Sequence, residues 1–129
     1  MTGQNGAWRL RVSSQFSSSH QLRHYQGKCE NLHGHNFTVE AEVEGNKLDQ
    51  DTGILIDFKE LKSKLTNITE GLDHCHLNDL PQFKEENPSS EHIARFIFKE
   101  LQKSLAHNSV QVCSITVSEK DSSKAIYFE

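Results

Sequence analysis

The sequence predicts an α+β fold, an antiparallel four-stranded sheet with two helices on one face, in the order ββααββ. Three observations predict it. Residues 8–20 and 33–45 alternate apolar and polar with a period of two, residues 57–72 and 89–105 repeat apolar positions with a helical period, and residues 110–128 hold two further short alternating runs. With 129 residues the chain is the size of one domain, 1–129, and can bury a core without disulfide staples.

The first strand places Leu10, Val12 and Phe16 on one parity and Arg9, Arg11 and Gln15 on the other. Residues 21–32 are polar, contain Gly27 and read as a loop. The second strand is the cleanest, with Phe37, Val39, Ala41 and Val43 facing a core and Asn36, Thr38, Glu40, Glu42 and Glu44 facing away. Asp49 to Gly53 carries turn chemistry. Asp57 is placed to cap a helix with its apolar stripe on Phe58, Leu61, Leu65, Ile68 and Leu72. A loop with Pro81 and Pro88 follows, and Ser89 or Ser90 caps a second helix with Ile93, Phe96, Ile97, Leu101 and Leu105 inward. Val110–Val117 and Ala125–Phe128 read as the last two strands. Such a sheet has open edges, which must be covered, blunted or paired with another subunit.

Hydrophobic residues make up 34% and charged residues 25%, the balance of a soluble globular protein. A net charge of -4 speaks against a nucleic-acid partner, which selects a basic face. No apolar stretch approaches the roughly 20 residues of a membrane helix, and Met1–Ala7 lacks the apolar core of a signal peptide. The expectation is a cytoplasmic protein without a membrane partner. Cys29, Cys75 and Cys113 are an odd number, suited to free thiols, ligands or catalytic groups.

Five of the eight histidines fall between His20 and His74. His33 and His35 share the parity of Phe37, and His20 that of Phe16, so all three project from the core-facing side. If the first two strands pair as a hairpin, the three imidazoles converge. Neutral imidazole binds zinc at about 2.0–2.1 Å, and three protein ligands leave one position open for catalysis. Strand-end histidines bonded to backbone or water are the plain alternative, which three on one side of neighbouring strands make weaker.

Cys29 lies four residues before His33, where a nearby metal or imidazolium would favour its thiolate as base or nucleophile. It can equally be a small buried hydrophobe or a fourth zinc ligand. Asp73 can orient His74 for proton transfer, with a solvated loop as the alternative and His76 as a rival. Glu119 shares the parity of Cys113, Ile115 and Val117. It either meets a guanidine-like edge with two N–H donors, as in a pterin ring, or is solvated beyond the strand.

The segments Phe16-Ser-Ser-Ser-His20 and Cys29-Glu-Asn-Leu-His33-Gly-His35 resemble the signature of the 6-pyruvoyltetrahydropterin synthase superfamily. The resemblance runs on through Gly53-Ile-Leu-Ile-Asp57-Phe58, Leu72-Asp73-His74, Leu77-Asn78 and Asn87-Pro88-Ser89-Ser90-Glu91 to Glu119. The short Cys29-x3-His33 spacing is similar to the branch that makes 6-carboxytetrahydropterin for queuosine, rather than the pyruvoyl-forming branch. The resemblance implies the tunnelling fold, with sheets of three subunits joined into a barrel and two trimers stacked as a homohexamer. It implies a lyase that converts 7,8-dihydroneopterin triphosphate to 6-carboxy-5,6,7,8-tetrahydropterin, acetaldehyde and triphosphate. In that scheme His20, His33 and His35 hold Zn2+, Cys29 moves protons on the substrate side chain, and Asp73 with His74 forms a relay. Glu119 anchors the pterin; apart from the resemblance, Ser89 and Ser90 are the candidates for substrate contact, and Lys28, Arg23 and His24 for phosphate contact. Cys29 and Asp73-His74 then belong to different chains around one pocket. The pyruvoyl-forming reaction and a non-enzymatic zinc- or pterin-binding protein are the alternatives. Ser17–Ser19 and Gln21 depart from the family's usual small apolar residues and arginine.

Overall fold

In the computed structural model, which describes residues 6–26 and 31–129, the elements follow the expected order. They are β1 (Trp8–His20), β2 (His33–Gly45), α1 (Phe58–Glu70), two single-turn helices at Leu77–Asp79 and Pro81–Phe83, α2 (Ser90–Ser104), β3 (Gln111–Lys120) and β4 (Ser123–Phe128). The four strands form an antiparallel meander in the order β1-β2-β3-β4. Helix α1 lies over β1 and α2 over β3 and β4, so both helices cover one face. The core between the layers joins Phe16, Phe37, Val39 and Ala41 to Leu61, Leu65, Ile93, Ile97 and Leu101.

Local chemistry sets the element ends. The Asp57 side chain accepts from the Lys59 amide at 2.8 Å and starts α1. Ser89, not Ser90, caps α2 by accepting from the His92 amide at 3.1 Å. Asp49 closes its turn by accepting from the amides of Asp51 and Thr52, both at 2.9 Å, and Gly53 supplies the φ of +72° that the turn needs.

Four expectations are corrected. Phe58 is 58% exposed although it shares the helix face of Leu61, Leu65 and Thr69: it is the first residue of α1, at the open end of that stripe. On α2 the fully inward aromatic is Phe98, while Phe96 only packs against the edge of the core. Cys113 does not share the parity of Ile115: β2 pairs Glu42 with Ser114 and Val43 with Val112, so Cys113 is the extra residue of a β-bulge. Strand β3 also runs on to Lys120, three residues further than the alternation suggests, and Glu119 lies within it.

At the far end of the hairpin Gly45 is packed tightly. A Cβ there would come within 2.9 Å of the Ser109 carbonyl and 2.7 Å of Leu55 Cδ1. Gly45→Ala is expected to destabilise the fold by about 1–3 kcal/mol, the cost of overpacking, read as a lower denaturant midpoint at unchanged slope.

Candidate metal centre and its surroundings

The β1–β2 hairpin builds the site. Its register pairs Phe16 with Phe37, Ser18 with His35 and His20 with His33, so the even positions of β1 and the odd positions of β2 share the core-facing side. Phe16 and Phe37 stack at 4.7 Å between ring centroids and form the floor. Above them the His20–His33 and His33–His35 rings are each 4.5 Å apart, and His20–His35 5.5 Å. The expected convergence of His20, His33 and His35 is present.

The fourth member is Glu119. One carboxylate oxygen lies 3.1 Å from His20 Nε2 and the other 3.1 Å from His35 Nε2. The three histidines and Glu119 each offer one donor atom, and these atoms all lie within 4.8 Å of one another. Glu119 gets there because β3 extends past its pairing with Thr38 and keeps the inward parity of Ile115 and Val117.

The backbone fixes the rings. His20 Nδ1 lies 2.7 Å from the Pro88 carbonyl and His33 Nδ1 2.9 Å from the Asn31 carbonyl. A carbonyl only accepts, so each Nδ1 carries the proton, and the neutral ring keeps a bare lone pair on Nε2. His20 is only 2% exposed, and its Nε2 is buried with no hydrogen-bond partner despite the nearby carboxylate. Burial holds the His20 imidazole below its ordinary pKa, with His33 and His35 adding to this against the Pro88 carbonyl and Glu119. Neutral, oriented imidazoles with carbonyl partners on the far nitrogen are what a bound transition metal requires, and this donor set suits zinc.

Two clefts flank the cluster. One of about 550 Å³ is lined by Ser17, Ser18, Ser19, Gly34, His35, Asn36, His74 and Cys75. The other, of about 220 Å³, is lined by His20, Leu22, Ser89, Ser90, Glu91, Glu119, Lys120 and Ser123. Ser89 and Ser90 thus share a cleft with Glu119. Lys120, which sequence reasoning passed over, adds the cation there; only the true length of β3 brings it into view.

Asp73 and His74 are in contact, Oδ2 to Nδ1 at 2.7 Å, with the His74 backbone at a φ of +52°. The other Asp73 oxygen accepts from the Ser17 amide at 2.8 Å, and this bond, ahead of the His74 contacts, holds the Asp73 carboxyl below the usual carboxylate range. The His74 amide donates to the Ser17 carbonyl at 2.6 Å and the Ser19 amide to the Cys75 carbonyl at 3.0 Å. Asp73 therefore ties the imidazole to the edge of β1, and the His74 side chain remains 82% exposed. His76, the rival, has its Nδ1 2.9 Å from the Ser19 hydroxyl.

The segment after His20 is held by two asparagines. Asn78 accepts from the Gln21 amide at 2.9 Å and donates to its carbonyl at 2.8 Å, and Asn87 does the same for Arg23, both at 2.8 Å. The Arg23 guanidinium donates to the carbonyls of Phe83 and Glu86, which ties the phosphate contact expected of it to a structural task. Neither asparagine's role was visible in the sequence, because it depends on loops more than fifty residues apart. Lys28 and Cys29 lie outside the described residues.

Comparison with known proteins identifies the family and the fold. The family model described as 6-pyruvoyl tetrahydropterin synthase matches residues 9–129. The chain is 36% identical over 125 residues to the 6-carboxy-5,6,7,8-tetrahydropterin synthase of Synechocystis, covering 94% of this chain and 93% of the relative. It is 35% identical over 99 residues to the human 6-pyruvoyl tetrahydrobiopterin synthase, covering 74% of this chain and 68% of the relative. The fold superposes on the Caenorhabditis elegans 6-pyruvoyl tetrahydropterin synthase with a TM-score of 0.83 at 23% identity, over 96% of each chain.

Proposed function

The chain belongs to the 6-pyruvoyl tetrahydropterin synthase family, and on that premise we propose that it converts 7,8-dihydroneopterin triphosphate to 6-carboxy-5,6,7,8-tetrahydropterin, acetaldehyde and triphosphate, as a step toward queuosine. It is a lyase-type enzyme of pterin synthesis. The observation that carries the reading is the convergence of His20, His33 and His35, with His20 and His33 oriented by backbone carbonyls and the buried Nε2 of His20 without a hydrogen-bond partner.

The residues divide the work. His20, His33 and His35 hold zinc, which when bound polarises an oxygen of the substrate side chain. Glu119 accepts from the paired N–H donors of the pterin edge, with Ser89 and Ser90 beside it in the same cleft. Lys120, on that cleft, and Lys28 are the candidate cations for the substrate's phosphates. Asp73 accepts the Nδ1 proton of His74, which leaves Nε2 as the atom that takes and returns a proton. Cys29 is the second proton carrier.

Homohexamers built as dimers of trimers complete the reading, with one domain, 1–129, per subunit. Residues 73–76 cover the end of β1 near the site, and the Lys62 ammonium donates to the Ser13 carbonyl at the middle of the strand. The start of β1 and strand β4 stay open, and they carry the exposed Trp8, Ile126 and Phe128. A second subunit would bury these edges.

Acetaldehyde release from dihydroneopterin triphosphate tests the assignment. A pyruvoyl product without acetaldehyde overturns it in favour of the other branch, which the human relative represents. Sequence alignment is what favours the carboxy branch, spanning 93% of the Synechocystis enzyme against 68% of the human one, while the fold itself is common to both branches. In the same assay Cys29→Ala is expected to keep its metal and lose turnover by about 10²–10⁴-fold, the usual worth of a positioned acid–base group. A wild-type protein that binds pterin and metal without turnover would instead be a binding protein.

A further inference from the structure

On the outer edge of a paired strand the N–H and C=O of every second residue point outward together. Toward the end of β1 these are the odd residues, and the stretch 73–87 takes them in turn. The Ser17 amide donates to Asp73 and its carbonyl accepts from the His74 amide, and the Ser19 amide donates to the Cys75 carbonyl. The pairing of β1 with β2 stops at His20, yet the series of grips does not. Asn78 takes Gln21 and Asn87 takes Arg23, each accepting from the amide and donating to the carbonyl of its residue. Two side-chain amides thus do for residues 21 and 23 what a neighbouring strand does for alternate residues of a ladder. Both ends of this extension are held. The Asn87 carbonyl lies 2.7 Å from His92 Nδ1 in the first turn of α2, and the Arg23 guanidinium reaches back to the carbonyls of Phe83 and Glu86.

Straight after the last grip the backbone turns sharply. His24 has a φ of +63° and Gln26 a φ of +53°, a conformation that residues other than glycine keep only where their surroundings impose it. A plain connection from β1 to β2 would need neither the extension nor the turn, and would retain more conformational freedom. Cys29 follows three residues after Gln26 in the sequence. We propose that Asn78 and Asn87 are positioning residues for proton transfer, which carry the edge of β1 on to Arg23 and so fix the point from which the chain sets out toward Cys29. The proposal rests on the role given to Cys29 above. A reacting group displaced by about 1 Å can lose about 10²-fold in rate, so loosening the grips acts on turnover rather than on binding.

The test compares full-length wild type, Asn87→Ala and Asn78→Ala, with circular dichroism to show that each variant is folded; where one is not, the other carries the test. Metal content is measured, and kcat and KM are read from acetaldehyde release. The expected result is a kcat lowered by about 10–100-fold, with metal content and KM close to wild type. Made in a Cys29→Ala background, the same substitution is expected to cost no further turnover, because a group that acts only through Cys29 has nothing left to position. A second readout needs no turnover. Alkylation of each cysteine by iodoacetamide is followed by peptide mass spectrometry, and the Cys29 rate is expected to change severalfold while those of Cys75 and Cys113 stay at their wild-type values. Loss of metal from a folded variant overturns the proposal in favour of a grip on His20, the residue before Gln21. Unchanged kcat with unchanged alkylation overturns it, and so does an alkylation change shared by all three thiols. An equal loss of turnover with and without the Cys29 thiol places the effect on another group. If the wild type does not turn over at all, the reading of Cys29 fails, and the alkylation rates alone decide whether the asparagines position it.

Discussion

His35→Ala is expected to lose most of its metal and to turn over at least about 10³-fold more slowly, since a Lewis acid supplies several kcal/mol and each 1.4 kcal/mol is a factor of ten. His35 is the ligand to choose. Its side chain is 31% exposed, so truncation leaves little buried void. His20 is buried against Phe37, at 5.3 Å between ring centroids, and its loss would mix metal release with cavity formation. The readouts are metal content after purification without added zinc, and turnover. A third readout separates a ligand from a bystander. A chelator should lower the melting temperature of the wild type, because an ion that binds only the native state stabilises it, and should leave His35→Ala unmoved. A variant that keeps its full metal complement would remove His35 from the ligand set.

Period-two alternation made the imidazole cluster legible in the sequence. It depends on which face each residue points to, and parity gives that wherever strands are regular. The β1–β2 hairpin keeps its pairing from Trp8 with Gly45 to His20 with His33, so nothing disturbs the count. On β3 the same reasoning worked for Glu119 and failed for Cys113, because the bulge at Glu42/Val43 falls between them. A bulge is set by cross-strand packing, and no single-strand pattern announces it. The Pro88 and Asn31 carbonyls that orient the rings were hidden for another reason, since backbone atoms carry no sequence signature. Arg23 shows the converse: its charge suggested a phosphate partner, while two loop carbonyls had already claimed it. Phe58 was misjudged because periodicity gives the face of a helix and not how far the core extends along it, and Phe58 stands at the helix end.

Mixing His35→Ala with His74→Ala subunits is expected to restore activity that neither variant has alone. His74 is held firmly yet points outward: Asp73 bonds both its ring and the Ser17 amide, and the side chain is 82% exposed. An imidazole ordered at the cost of a positive φ, and then left in solvent, suggests a partner from outside the chain. If the ion on one subunit works with the Asp73–His74 pair of its neighbour, random assembly of equal amounts gives about a quarter of the sites both wild-type groups. If the two groups act within one subunit, every site carries one lesion and activity stays at the background of the separate variants. Co-refolding the two variants and assaying acetaldehyde, with each variant refolded alone as the control, distinguishes the arrangements. Separate refolding also reports on the metal, because His74→Ala should retain it and His35→Ala should not. Recovery of turnover with metal on only the His74→Ala subunits would place ion and proton relay on opposite sides of a subunit boundary, and absence of recovery from a mixed assembly would return both to one chain.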